Sequence, residues 1–73
     1  MLIQKEYIND TGSSVIITIR SKNKKRAILI IEHEGFDNID MVQDYKESGT
    51  LDYIKKVRKD WIVMLYALKY RQI

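Results

Sequence analysis

Two stretches of this chain are almost continuously apolar. Residues 15–20 read VIITIR and residues 26–33 read RAILIIEH. Runs of β-branched residues of this length favour strands, because such side chains pack well on a pleated surface. The polar link SKNKK between them is short enough to make the pair an antiparallel hairpin. Alternation places Val15, Ile17 and Ile19 on one side and Ile16 and Thr18 on the other. In the partner strand Ile28 and Ile30 oppose Leu29 and Ile31. Both faces of the hairpin are therefore apolar, whereas a sheet with one wet face alternates apolar and polar residues. Something must cover each side.

The periodicity changes from two to 3.6 further on. Residues 50–71 read TLDYIKKVRKDWIVMLYALKYR, and Thr50 stands where a helix cap belongs. At 100° per residue, Ile54, Val57, Trp61, Met64, Leu65 and Leu68 share an arc of about 100°, which is the expected core face. The opposite face of the first half carries Asp52, Lys55, Lys56, Lys59 and Asp60. Beyond Trp61 that opposite face turns apolar too, with Ile62, Val63, Tyr66, Ala67 and Tyr70. A helix of 22 residues spans roughly 33 Å, and a seven-residue strand only about 23 Å. A small sheet cannot cover both sides of such a helix. Ile62, Val63, Tyr66, Ala67 and Tyr70 are thus the candidate protein interface, and a second copy of the chain is the expected partner. Tyrosine is favoured at such surfaces.

The remaining segments are weaker. Residues 2–8 (LIQKEYI) fit a third strand, separated from the hairpin by the turn-forming Asn9, Asp10, Thr11 and Gly12. Residues 34–38 read as a loop. Residues 39–46 (IDMVQDYK) read as a short helix capped by Asn38, with Ile39, Val42 and Tyr45 facing inward. The expectation is a single small α+β domain over residues 1–73. Its strands would lie at about 2–8, 14–20 and 26–33 and its helices at about 39–46 and 51–71. The architecture is a three-stranded antiparallel β-meander followed by a short helix and a long C-terminal helix packed on the sheet.

Composition narrows the function classes. A chain of 73 residues buries only about 60% of the surface its unfolded form exposes. It has no cysteine, so neither disulfides nor thiolate metal sites can reinforce it. Oligomerisation is the remaining common device, which strengthens the expectation of a homodimer. The longest uncharged apolar run, residues 61–68, is eight residues, against about 20 for a membrane span. No signal-peptide pattern opens the chain, so a cytoplasmic location without membrane partners is expected. Proline is absent while isoleucine, lysine and tyrosine abound. That usage agrees with an AT-rich coding genome, such as a phage or mobile element.

The net charge of +3 is modest, but the charges are segregated. Arg20, Lys22, Lys24, Lys25 and Arg26 surround one hairpin turn, and Lys55 and Lys59 recur on the helix. These are the candidate nucleic-acid contacts, since a β-ribbon can enter a DNA groove and neutralise phosphates. No aromatic is interleaved with them, which argues against a stacking platform for single strands. Glu32, Glu34, Asp37, Asp40, Asp44, Glu47 and Asp52 make the middle of the chain acidic.

Candidate chemistry is sparse. His33 is the sole histidine, and its strand neighbours Glu32 and Glu34 point to the other face, so no metal set forms. Gly12, Gly35 and Gly49 are isolated, which excludes a glycine-rich phosphate loop. Ser13 and Ser14 belong to no nucleophile motif. No catalytic residue, metal or cofactor is expected. The sequence points to a non-enzymatic binding protein, a homodimeric regulator or inhibitor of a macromolecular target. The alternative is a DNA-binding regulator that uses the basic hairpin 20–26 and the basic helix face.

Overall fold

A computed structural model of the chain describes residues 1–35 and 43–73. Its elements are β1 (Leu2–Ile8), β2 (Ser14–Asn23), β3 (Arg26–Glu34), β4 (Tyr45–Gly49), α1 (Leu51–Ala67) and β5 (Arg71–Gln72). The strands form one antiparallel sheet in the order β4-β3-β2-β1-β5. The helix lies across one face. Among the described residues, no helix is long and apolar enough to cross a membrane.

This corrects the expected three-stranded meander with two helices: the fold is mostly β, with five strands and one helix among the described residues. Part of the expected short helix, residues 39–42, lies outside the described residues with Asn38, its expected cap. The rest of it does not turn helical, because Tyr45 and Lys46 begin β4. Tyr45 pairs with Ile31 and Gly49 with Ala27, so Tyr45, Glu47 and Gly49 face the helix. Tyr45 then packs against Trp61, with ring centroids 5.2 Å apart. Burial of that ring and pairing with β3 outweigh the poor strand propensity of Lys46, Glu47 and Gly49.

The long helix stops earlier than its periodicity predicts. It ends at Ala67, and Lys69 takes a left-handed conformation with φ of 67°. The amide of Tyr70 bonds the Leu65 carbonyl (2.9 Å) and that of Lys69 bonds the Tyr66 carbonyl (3.1 Å). This is a Schellman closure, with buried Leu65 and Tyr70 in sequence positions that suit its hydrophobic contact. The chain is thereby turned back so that Arg71 and Gln72 pair with Ile8 and Tyr7.

The core is a single layer between helix and sheet. Val15, Ile17, Ile19, Ala27, Leu29 and Ile31 come from one face of β2 and β3, Tyr7 from β1, and Ile54 and Leu65 from α1. The inward face of α1 is rotated relative to the expected one by roughly 40°, at about 100° per residue. Arg58 and Ile62 turn inward, whereas Met64 and Leu68 stay exposed. The Arg58 guanidinium lies beside the Tyr7 hydroxyl. Burial nevertheless dominates and raises the pKa of that phenol, the guanidinium opposing the rise.

Candidate functional site

The hairpin of β2 and β3 sets the geometry of the basic end. The side chain of Asn23 accepts from the amides of Lys25 (2.9 Å) and Arg26 (3.0 Å), closing a tight turn. Neither Lys24 nor Lys25 has a positive φ. The turn is therefore not of the mirror-image type that matches strand twist, and the register shift between Ser21 and Asn23 absorbs the difference. The Lys24 carbonyl accepts from the Leu51 amide (2.9 Å), which pins the start of α1 to the turn. Thr50 caps that start by accepting from the Tyr53 amide.

Beside the turn is an open depression of about 730 Å³. Arg20, Lys22, Lys25 and Arg26 line it together with Ala27, Ile28, Ser48 and Gly49, and among the described residues no carboxylate does. Four of the five hairpin cations expected from the sequence thus converge on one concavity. Lys24 belongs to the same turn and is exposed. Lys55 and Lys59 are exposed on α1, about 6 and 12 Å along its axis from Leu51. Ser48 and Gly49 escaped the sequence reading, which ended a helix there. No apolar and polar alternation marks them in the sequence, because Glu47 and Gly49 share the helix-facing side with Tyr45.

The opposite end of the sheet is acidic. Glu6, Glu32 and Glu34 lie there, and Asp44 accepts from the backbone amide of His33 (2.7 Å). Asp10 pairs with Arg71 at 2.8 Å in the open. Nearer the middle, Glu47 receives the hydroxyls of Tyr45 and of Tyr53, the latter at 2.7 Å. The two hydrogen bonds hold the Glu47 carboxyl below its ordinary value. The same bonds raise both phenols, Tyr45 to about 12. This trio fastens β4 to α1.

The candidate interface residues separate. Val63 is 61% exposed, Tyr66 53%, and Ala67 is exposed. Ile62 packs against the core, and Tyr70 is 3% exposed. Tyr66 also meets Tyr7 edge-on, with centroids 6.3 Å apart. Among the described residues, no group of three or more histidine, cysteine, aspartate or glutamate side chains is placed to hold a metal ion. Comparison of the chain with protein-family models, with curated proteins and with solved structures finds no match.

Proposed function

We propose that this chain is a small non-catalytic binding protein that regulates a macromolecular target by occupying it. It acts as a homodimer, and its basic hairpin end grips the phosphate backbone of a nucleic acid. One observation carries the ligand class: Arg20, Lys22, Lys25 and Arg26 line a single depression that no carboxylate among the described residues shares. The turn is flanked by β1 up to Arg20 and by β4 up to Ala27 and is tied to α1 through Lys24, so its cations would meet phosphates at the duplex surface. Arginine adds planar, two-pronged hydrogen bonding to phosphate, and lysine adds point charge. Such contacts fix position on a duplex and carry no sequence information of their own.

The test is a gel shift on generic duplex DNA at two salt concentrations. With four phosphate contacts, affinity should fall roughly a hundredfold between about 50 and 200 mM salt. Changing Lys22, Lys24 and Lys25 together to serine should flatten that salt dependence by about two contacts' worth, since Lys22 and Lys25 are two of the four. Absence of binding at the lower salt concentration would sink the nucleic-acid reading.

A protein target is the second reading, and the exposed Val63 and Tyr66 favour it. In that case the triple serine variant stays functional and Tyr66→Asp does not.

A further inference from the structure

Among the described residues, cover is found on only one face of the sheet. On the other, the register sorts the side chains into rows across the strands. Leu2, Arg20, Ile28 and Ser48 form the first row, and Gln4, Thr18, Ile30 and Lys46 the second. Glu6, Ile16 and Glu32 form the third. The middle of this face is partly dry. Thr18 is 4% exposed, and Gln4 donates to its hydroxyl at 3.0 Å. Ile16, Ile28 and Ile30 are half-buried by their neighbours, while Leu2 is 63% exposed. No described element packs over them.

The charges on this face are ordered along the strands. The first row carries Arg20, and the third carries Glu6 and Glu32. Two twofold axes can lay such a face on itself. An axis parallel to the strands stacks each row on its own copy with the strand order reversed, which brings the two Arg20 rows together and the two Glu6–Glu32 rows together. An axis across the strands reverses them, so that the first row meets the third. Arg20 then comes down between Glu6 and Glu32 of the second copy, twice by symmetry, and Ile30 and Thr18 meet their own copies at the centre, as does Lys46 at the exposed β4 rim. Like charges in opposition are costly when buried, and the single Lys46 pair is solvated, so the opposite signs at the two ends of the face select the second axis.

We propose that the open sheet face docks on a second copy of this chain with the strands antiparallel, Arg20 facing Glu6 and Glu32. Stacked sheets pack about 10 Å apart, close enough for the isoleucines to interdigitate. Four strands of about seven residues make a face of roughly 19 by 23 Å. Two such faces bury roughly 870 Å², below the ~1,200 Å² of standard specific interfaces and in the range of weak ones, so the dimer is expected toward the upper end of the concentrations tested. The proposal rests on the homodimer reading above and goes further by naming the surface. It also sends the two basic hairpins out at opposite ends of the dimer and commits Arg20 to the interface. That leaves Lys22, Lys25 and Arg26 of each hairpin for phosphate and lowers the salt dependence of the dimer from four contacts to three.

The test is the mass in solution, by sedimentation velocity from micromolar to hundred-micromolar concentration. The expected result is twice the 8.7 kDa of one chain. Ile30→Asp should give a folded monomer, its fold checked by circular dichroism and a cooperative melt. Arg20→Glu alone, or Glu6→Lys with Glu32→Lys, should each raise the dimer dissociation constant about tenfold or more. All three reversals together should bring it back near the original value. That rescue distinguishes a charge-matched interface from simple misfolding. A mass of one chain throughout would overturn both this proposal and the homodimer reading. A dimer that withstands Ile30→Asp and the charge reversals but falls to Tyr66→Asp would overturn this face and leave the homodimer standing on the helix.

Discussion

The two faces of β2 and β3 come from the same short run of residues, yet they are different surfaces. Val15, Ile17, Ile19, Leu29 and Ile31 are fully buried under α1. One residue out of phase, Ile16, Ile28 and Ile30 are half-buried and share their rows with Arg20, Glu32 and Lys46. The covered face has no charge on these two strands from Val15 to Ile31. The open face has a sign at each end. A surface evolved only to be wet would alternate toward serine, threonine and lysine. Instead its middle row is buried or half-buried at Thr18 and Ile30 and exposed at Gln4 and Lys46, with opposite charges at its two ends, and on this contrast the proposed pairing of two copies rests.

The largest test of that contrast is a pair of truncations one residue apart. Leu29→Ala opens a cavity beneath the helix and should cost about 2–5 kcal/mol. Ile30→Ala removes a similar volume from a half-buried site and should cost well under half of that in the isolated chain. The measurement is urea denaturation at concentrations low enough to populate monomer. Equal losses would mean that the open face is packed as tightly as the core. A larger loss for Ile30→Ala as concentration rises would tie its value to the second copy.

Much of this contrast was legible in the sequence. The hairpin and the first strand follow from residues 2–8, 15–20 and 26–33 alone, whereas of the two covers expected for the hairpin the described residues supply one, α1. What was missed has identifiable causes. Residues 45–49 contain one good strand former, Tyr45, and become a strand through pairing with β3 and through the ring of Trp61. Such support is tertiary and leaves no local pattern. The helix end was misread because its stop signal is unusual. Glycine normally occupies the left-handed position after a helix, and here it is Lys69. With the helix expected to run to residue 71, Tyr70 fell in phase with Ile62 and Tyr66. The actual turn carries it into the core instead. The basic end was the most legible part of the candidate site, because a tight turn brings near neighbours in sequence together in space. Ser48 and Gly49, some 22 residues away from the turn, could reach it only through the unforeseen strand.

Lys69 offers a smaller and opposite effect. A side chain at φ of 67° crowds the following backbone. Lys69→Gly should therefore stabilise the chain, by about 0.5–1 kcal/mol once the greater freedom of glycine in the unfolded state is subtracted. A rise in the thermal midpoint of a few degrees is expected, with the helix end and β5 retained. If the midpoint falls, the lysine side chain is making a contact at the helix end that outweighs the strain of its backbone. The change lies at the helix end by which the C-terminal strand reaches the sheet, so it sharpens the covered face and leaves the open one alone.

The smallest effect belongs to the Tyr45–Glu47–Tyr53 trio, which sits on the covered side at its β4 edge. Its members are accessible to solvent, so screening keeps its contribution modest. The sign follows from the direction of each shift. Glu47 has a folded-state pKa below the ordinary 4.5, so its stabilisation is present above that value and fades as pH falls through the folded pKa. Tyr45 and Tyr53 have folded-state values above 10.0, so theirs is present below 10 and fades as pH rises through the folded values, about 12 for Tyr45. The trio is therefore fully formed from roughly pH 4.5 to 10. Replacing Glu47 by Gln removes the carboxylate and keeps the shape. The thermal midpoints of the two proteins should differ at pH 7 and converge toward pH 3. A gap that stays constant across that range would mean that Glu47 contributes packing and not charge, and that β4 is held to the helix by Tyr45 on Trp61 alone.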